Sequence, residues 1–266
     1  MRIVALLGLI GASLISTQTL STQAIAVEDQ VLKELVPTGK LRVGVAYAPA
    51  PTPIFVAREA GGVRGPAFDI GNALARKLGV PVDLHITATT GELTDAVSAG
   101  IIDIGFMPAD DARKQRLDFS PPYFVIESTY LAGASTGIAT MGDVDRAGVK
   151  VAGIDGSTTM RAATRSLKQA SVVTAKSVDE AVAMMKSGDV QAFALTHDAL
   201  PKLQKQLPGS RILDGAFQTV GVAIGIQKNR PAALGYVKTF IEDAKKDGSI
   251  RKSFDDAGLN HLSLAP

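Results

Sequence analysis

The chain reads as a mixed α/β protein whose two similar lobes face each other across a cleft. Three observations predict it. Strand-like and helix-like segments alternate along nearly the whole chain, which predicts parallel sheets joined by right-handed crossovers. One arrangement occurs twice: Ala99-Gly100-Ile101-Ile102-Asp103-Ile104-Gly105-Phe106 has its echo in Ser187-Gly188-Asp189-Val190-Gln191-Ala192-Phe193-Ala194, each a helix end, a glycine stop and an apolar strand. Phe119 to Leu131 and the stretch from Val220 are extended segments suited to carry the chain from one lobe to the other and back.

In the first unit, Leu41-Arg42-Val43-Gly44-Val45 alternates as a strand. Tyr47 to Pro53, rich in Pro and Ala, is a loop. Asp69 is expected to cap a helix with Ile70, Leu74 and Leu78 on one face, ended by Gly79. Val80, Val82, Leu84 and Ile86 alternate as a second strand, and a helix over Glu92–Ala99 follows, stopped by Gly100. Ile102 to Met107 is nearly all apolar and reads as a strand buried on both faces. The second unit repeats the plan. Val149–Ile154 is a strand, a helix opens at Gly156-Ser157-Thr158-Thr159 and runs to about Gln169, and Val172–Ala175 is a strand. Ser177-Val178-Asp179-Glu180 is a capping box for a helix that Gly188 ends. Val190–Leu195 and Val220–Gln227 are strands, and Ala232–Lys246 and Ser249–Ala257 are helices.

The N-terminus has the pattern of an export signal. Arg2 supplies the positive charge, Ile3 to Ile15 form a short apolar stretch, and Ala24-Ile25-Ala26 fits a small-x-small cleavage site. The stretch is shorter than the ~20 residues that span a bilayer, so the mature protein, starting at Val27, is expected not to be membrane-embedded. Removing 26 of the 266 residues leaves 240, and loss of Arg2 lowers the net charge from +2 to +1. That balance carries no basic stripe with interleaved aromatics, so no nucleic-acid partner is expected. Cysteine is absent, which excludes disulfides, thiolate metal sites and a lipidated N-terminal cysteine. An exported chain without a lipid anchor is expected in the periplasm of a two-membrane bacterium. The expected division is signal 1–26, first lobe 27–125, second lobe 126–220 and a return to the first lobe over 221–266.

In open α/β sheets ligands bind beyond the carboxyl ends of the strands. That rule points to Tyr47, to Met107 through Arg113, to Asp155 through Thr159, and to Thr196 through Asp198. Ser157, Thr158 and Thr159 combine free N–H groups at a helix start with hydroxyls, an arrangement that favours an anion such as a carboxylate but also serves as a plain helix cap. Arg113 lies three residues after Asp110, which can cap a short helix; its guanidinium either holds a carboxylate bidentately or pairs at the surface with Asp110 or Asp111. Asp103, Asp118 and Tyr123 read as structural. His85, His197 and His261 have no metal-ligand spacing, and no phosphate-binding loop, dinucleotide fingerprint or nucleophile elbow occurs, so neither metal nor cofactor is expected.

Gly100-Ile101-Ile102-Asp103, followed by Arg113 and Asp118-Phe119-Ser120-Pro121-Pro122-Tyr123, closely resembles the bacterial extracellular solute-binding proteins of family 3, the periplasmic components of polar-amino-acid-type ABC importers. The likeness runs from Gly39-Lys40-Leu41-Arg42-Val43-Gly44-Val45 to Asp247-Gly248-Ser249-Ile250. It implies the type II periplasmic-binding-protein fold, two hinge strands, a monomer that closes on one small ligand, and docking on an inner-membrane ABC permease. It also implies that Arg113 meets a ligand carboxylate, with Ser157 and Thr158 assisting. Where amino-acid binders of the family hold the ammonium with an aspartate, this chain has Thr196, and Asp198 lies two residues later. The segment Phe106-Met107-Pro108-Ala109-Asp110 is about two residues shorter than the family's, and Pro108 offers no N–H. The expected ligand is therefore a small organic acid or an amine-modified acid. Ligand contacts are expected from Tyr47, Met107, Arg113, Ser157, Thr158, Thr159, Thr196 and Asp198. Two other functions share this fold: a dehydratase resembling cyclohexadienyl dehydratases, with Asp110, Asp155, His197 and Asp198 as candidate acids or bases, and an accessory protein of a periplasmic dehydrogenase.

Overall fold

The computed structural model describes residues 28–46, 55, 57–59, 62–260 and 262–266. The expected export signal, Tyr47 with its loop, and His261 lie outside the described residues.

After a helix over residues 28–35 (α1), the first unit builds β1 (Leu41–Ala46), the short pair β2 (Ala57–Glu59) and β3 (Gly62–Arg64), α2 (Pro66–Leu78), β4 (Val82–Thr87), α3 (Thr90–Ser98) and β5 (Ile104–Pro108). Then come α4 (Asp111–Lys114), β6 (Leu117–Phe119) and the long β7 (Phe124–Ala132). The second unit holds α5 (Met141–Val144), β8 (Lys150–Ile154), α6 (Thr158–Ser166), β9 (Ser171–Ala175), α7 (Val178–Ser187), β10 (Ala192–Thr196), α8 (Leu200–Gln204) and β11 (Arg211–Ile212). The chain returns through β12 (Gln218–Gln227) and ends in α9 (Pro231–Lys246) and α10 (Ser249–Asp256).

One sheet runs through both units in the order β4-β1-β5-β12-β7-β10-β8-β9. Three strands in each unit pair in parallel: β1 lies between β4 and β5, and β8 between β9 and β10. The two long strands join the units. β12 pairs antiparallel with β5 over Val222 to Ile226 and with β7 over Gln218 to Val222, while β7 continues past Ser128 to pair with β10. The junction is thus an antiparallel ribbon, Phe124–Ser128 against Gln218–Val222.

The buried apolar side chains divide accordingly. Two sets lie within residues 31 to 126, the larger of them drawing again on 222 to 259, and the other two lie within residues 130 to 213. We call them the first and second lobe. β5 and β10, wholly buried, owe their position to having helices on both faces, which explains their unbroken apolar composition. Asp103 serves structure as expected: its carboxylate accepts the Arg42 backbone N–H at 2.9 Å and the guanidinium at 2.5 and 3.1 Å, fixing the turn into β5 beside β1. Asp118 pairs with Lys228 at 3.4 Å. Tyr123 is fully buried between Phe106 and Phe254, edge-on to each.

Two local expectations are corrected. Asp69 does not cap α2; with Pro66 at the first position the helix starts four residues earlier, after Gly65, and leaves Asp69 inside it. The helix opened by Ser157 ends at Ser166 rather than near Gln169. Leu167 is extended, and the Asp145 carboxylate takes the backbone N–H groups of Lys168, Gln169 and Ala170 at 2.6–3.0 Å. Three backbone donors satisfied by one carboxylate outweigh one more turn of helix.

Candidate functional site

The carboxyl ends of β5 and β8 face each other across the lobe boundary, so the segments after them meet. Beyond β5, Asp110 caps α4 by accepting the Arg113 N–H at 3.1 Å. A cap three residues before the arginine turns its side chain inward, and Arg113 is only 2% exposed. Its guanidinium donates to Thr94 Oγ1 at 2.9 Å, the Pro108 carbonyl at 3.1 Å and Thr90 Oγ1 at 2.8 Å, all in the first lobe. One further bond crosses to the second lobe, to the Gly156 carbonyl at 3.1 Å. Every one of these acceptors is neutral. Burial, then the neighbouring Arg161 guanidinium, push Arg113 down to about 9, against a partial offset from Asp110. The reading of Arg113 as a surface arginine paired with an aspartate side chain is thereby replaced.

Across the boundary, Gly156 adopts φ +64° and aims its carbonyl at the first lobe. A Cβ on Gly156 would stand 3.1 Å from Cα of Gly91, and one on Gly91 would stand 3.3 Å from Cα of Gly156. Two glycines therefore let the backbones touch. Arg161, one turn into α6, donates to the same Gly156 carbonyl at 3.0 Å and reaches over to Asp110, with Nε and Nη2 at 2.8 and 2.5 Å from Oδ2. The two guanidinia converge on one carbonyl oxygen, and among the described residues Asp110 is the one carboxylate bonded to the pair.

Of the other expected residues, Ser157 caps α6 by accepting the Met160 N–H at 3.1 Å. Thr158 is buried, and its carbonyl receives Gln218 at 3.4 Å. Thr159 shares a 3.1 Å hydrogen bond with Ser128, which also donates to Gln218 at 3.2 Å. A polar chain therefore ties the start of α6 to both long strands. Thr196 ends β10, buried, opposite Ser128, and Asp198 is half-buried in the turn that follows. Met107 is fully buried beneath α3, its sulfur accepting at 3.4 Å from Thr94, which holds Arg113. His197 is exposed and binds the Glu127 carbonyl through its backbone.

Sequence reasoning missed Thr90, Thr94, Ser128, Arg161 and Gln218. The signal for the first pair was present: Thr90 and Thr94 stand i, i+4 on the face of α3 that carries Leu93 and Val97. A polar pair on a buried stripe needs a partner, and the partner is Arg113. Beside Asp110, between α4, α6 and β12, lies a cavity of about 550 Å3 whose lining includes Asp111, Lys114, Arg165 and Gln218. Among the described residues no group of three or more His, Cys, Asp or Glu side chains can hold a metal ion, and no helix is long and apolar enough to cross a membrane.

Comparison with known proteins agrees with this architecture. The glutamine-binding protein of Geobacillus stearothermophilus is 29% identical over 203 residues, 74% of this chain and 76% of that one. The crystal structure of the ancestral amino acid-binding protein AncCDT-1, described as a precursor of cyclohexadienyl dehydratase, superposes with a TM-score of 0.69 at 29% identity, covering 85% of this chain and 98% of that one. An ancestral arginine-binding protein bound to arginine gives 0.70 at 28% identity, covering 82% and 97%. The family model of the bacterial extracellular solute-binding proteins, family 3, matches residues 41–256, and the chain belongs to that family.

Proposed function

We propose that this protein captures a small carboxylate-bearing solute, an organic acid or an amino-acid derivative, between its lobes and delivers it to an inner-membrane ABC permease. The observation that carries the reading is Arg113: a guanidinium 2% exposed, hydrogen-bonded among the described residues only to neutral acceptors, with a second guanidinium beside it. Burying an ion without a counter-ion is costly. A carboxylate that replaces the Gly156 carbonyl on Arg113 offsets that cost, and a bidentate arginine–carboxylate pair is the strongest contact available to it. Ser157 and Thr158 add a hydroxyl and the N–H groups of a helix start on the facing side. The relatives named as amino-acid binders support a carboxylate as the common element. Tyr47 and Asp198 complete the proposed ligand shell.

In this reading the mechanism is conformational. The ribbon of β7 and β12 is the hinge, with lobe boundaries near residues 125 and 220, and the ligand shifts the open–closed balance by touching both lobes. The permease recognises the closed shape. The protein works as an exported periplasmic monomer and catalyses nothing. The competing dehydratase reading draws on the likeness to AncCDT-1. Against it, both oxygens of Asp110, its best-placed carboxylate, are already engaged, one by the Arg113 N–H and one by Arg161.

A thermal-shift panel of amine-free mono- and dicarboxylates, proteinogenic amino acids and amine-blocked derivatives tests the proposal. A ligand of the native state stabilises it by about 2.7 kcal/mol at a hundredfold excess over Kd. Stabilisation by a carboxylate, lost on esterification, is expected. Stabilisation only by solutes without a carboxylate, or turnover of prephenate or arogenate, overturns it.

A further inference from the structure

The cluster at the lobe boundary contains an asymmetry. Asp110 is a carboxylate with only 6% of its side chain exposed, placed at the cleft mouth of β5, where a ligand ammonium could use it. It is not available. Arg161 comes from the opposite lobe and puts two N–H groups on Oδ2, while Oδ1 is held by the cap of α4. Arg161 itself is anchored at 3.0 Å to the Gly156 carbonyl, so its guanidinium is fixed at both ends. Among the described residues this hydrogen-bonded cluster holds two guanidinia against one carboxylate, a net +1. Lys114, Arg165 and Asp111 on the adjoining cavity wall do not reverse that sign.

From this geometry we infer that Arg161 is a specificity-determining residue: it occupies Asp110 from within the chain, denies that carboxylate to a ligand ammonium, and so restricts the cleft to acids that lack a free amine. The inference rests on the proposed carboxylate-binding function and names its substrate class. An α-amino acid brings a positive charge to a cluster that already has one to spare, and at Asp110 its ammonium meets a carboxylate whose two oxygens are both already engaged. An amine-free acid brings negative charge alone, one unit for a monocarboxylate and two for a dicarboxylate. The second lobe agrees, because Thr196, at the end of β10, supplies a hydroxyl where a charge would be needed. A specificity built on an occupied carboxylate works by excluding the competitor as much as by holding the chosen ligand.

The test uses two matched pairs, glutarate with L-glutamate and propionate with L-alanine, titrated calorimetrically into the mature wild-type protein and into Arg161→Gln, Arg161→Lys, Asp110→Asn and the Arg161→Gln/Asp110→Asn double variant. Folding of each is checked by thermal unfolding. Wild type is expected to prefer the amine-free member. Arg161→Gln frees Asp110 and is expected to move the affinity ratio toward the amino acid by about tenfold or more, the size of one charge-assisted hydrogen bond. The double variant removes the freed carboxylate and is expected to lose that gain, while Arg161→Lys keeps the wild-type preference. Should Arg161→Gln not fold, Asp110→Asn decides: it is expected to bind the acids more tightly than wild type and to gain nothing for the amino acids. Acid binding by wild type with a ratio unmoved in Arg161→Gln overturns the role of Arg161 and leaves the carboxylate reading intact. A wild type that already prefers the amino acids overturns it too. No binding of any of the four by any form removes the carboxylate reading and this inference together.

Discussion

Closing of the lobes should depend on the absence of two side chains. Gly91 has an ordinary backbone conformation near the start of α3, so a larger residue there adds bulk without backbone strain. A Cβ at Gly91 sits 3.3 Å from Cα and 3.6 Å from the carbonyl oxygen of Gly156. The γ-methyls of valine project a further ~1.5 Å, a carbon–carbon bond length, and cannot fit while Gly156 holds Arg113 at 3.1 Å. Overpacking of this kind costs about 1–3 kcal/mol. The lobes can avoid it by separating, so the cost falls on the closed state, and an energy of that size changes a two-state ratio by about 5–150-fold. Gly91→Val should therefore weaken ligand affinity by that factor and raise the small-angle-scattering radius of gyration of the ligand-free protein. The denaturant midpoint should barely move, because neither lobe core is touched. A scattering curve and an affinity both equal to wild type would refute the claim that this contact limits closure.

Three further outcomes are expected. The Tyr123 hydroxyl is fully buried with no hydrogen-bond partner among the described residues, and burial pushes its ionisation far up. An unsatisfied hydroxyl costs about 1–3 kcal/mol, whereas the oxygen-sized void left by Tyr123→Phe, at ~15 Å3, costs only ~0.4 kcal/mol. The variant should gain about 1 kcal/mol and melt about 2–4 °C higher; a lower melting temperature contradicts this. Gly235, inside α9 with open space around its missing Cβ, should tolerate Ala with a gain of about 0.4–1 kcal/mol in urea unfolding; a loss contradicts it. Asp145 is held below the usual carboxylate range by the N–H groups of Ala170, Gln169 and Lys168. Because its folded value lies below its unfolded one, its contribution is full above about pH 4 and fades as pH falls through the folded value. The stability gap between wild type and Asp145→Asn should shrink on acidification, and a gap constant from about pH 7 to pH 2 refutes the assignment.

Much of this fold was legible in the sequence because its signals are local. The apolar runs of β5 and β10, the capping Ser177 and the glycine stops after α2 and α7 each act within a few residues. The repeated helix–glycine–strand unit carried the two-lobe plan. Where the reading slipped, a distant or competing partner decided. The end of α6 was set by Asp145, some twenty residues upstream, and the start of α2 by Pro66 rather than by the acid that follows it. The site was legible only in part. Arg113, Ser157 and Thr158 follow from the strand-end rule, since each lies just past a parallel strand. Arg161 was invisible because nothing local distinguishes it from Arg165 one turn on; only the approach of α6 to α4 brings it to Asp110. Ser128 lies in the middle of β7 and Gln218 at the start of β12, and both gain meaning only from facing α6.

The central claim, that a buried guanidinium between two lobes waits for a carboxylate, is tested most directly by calorimetric titration of the strongest acid from the panel into wild type and Arg113→Gln, with folding of both verified. One charge-assisted contact of about 1.5–3 kcal/mol predicts a loss of roughly 10–150-fold in affinity. An affinity unchanged in a folded Arg113→Gln protein would contradict it, and would leave Arg113 as an internal brace between Thr90, Thr94 and Gly156.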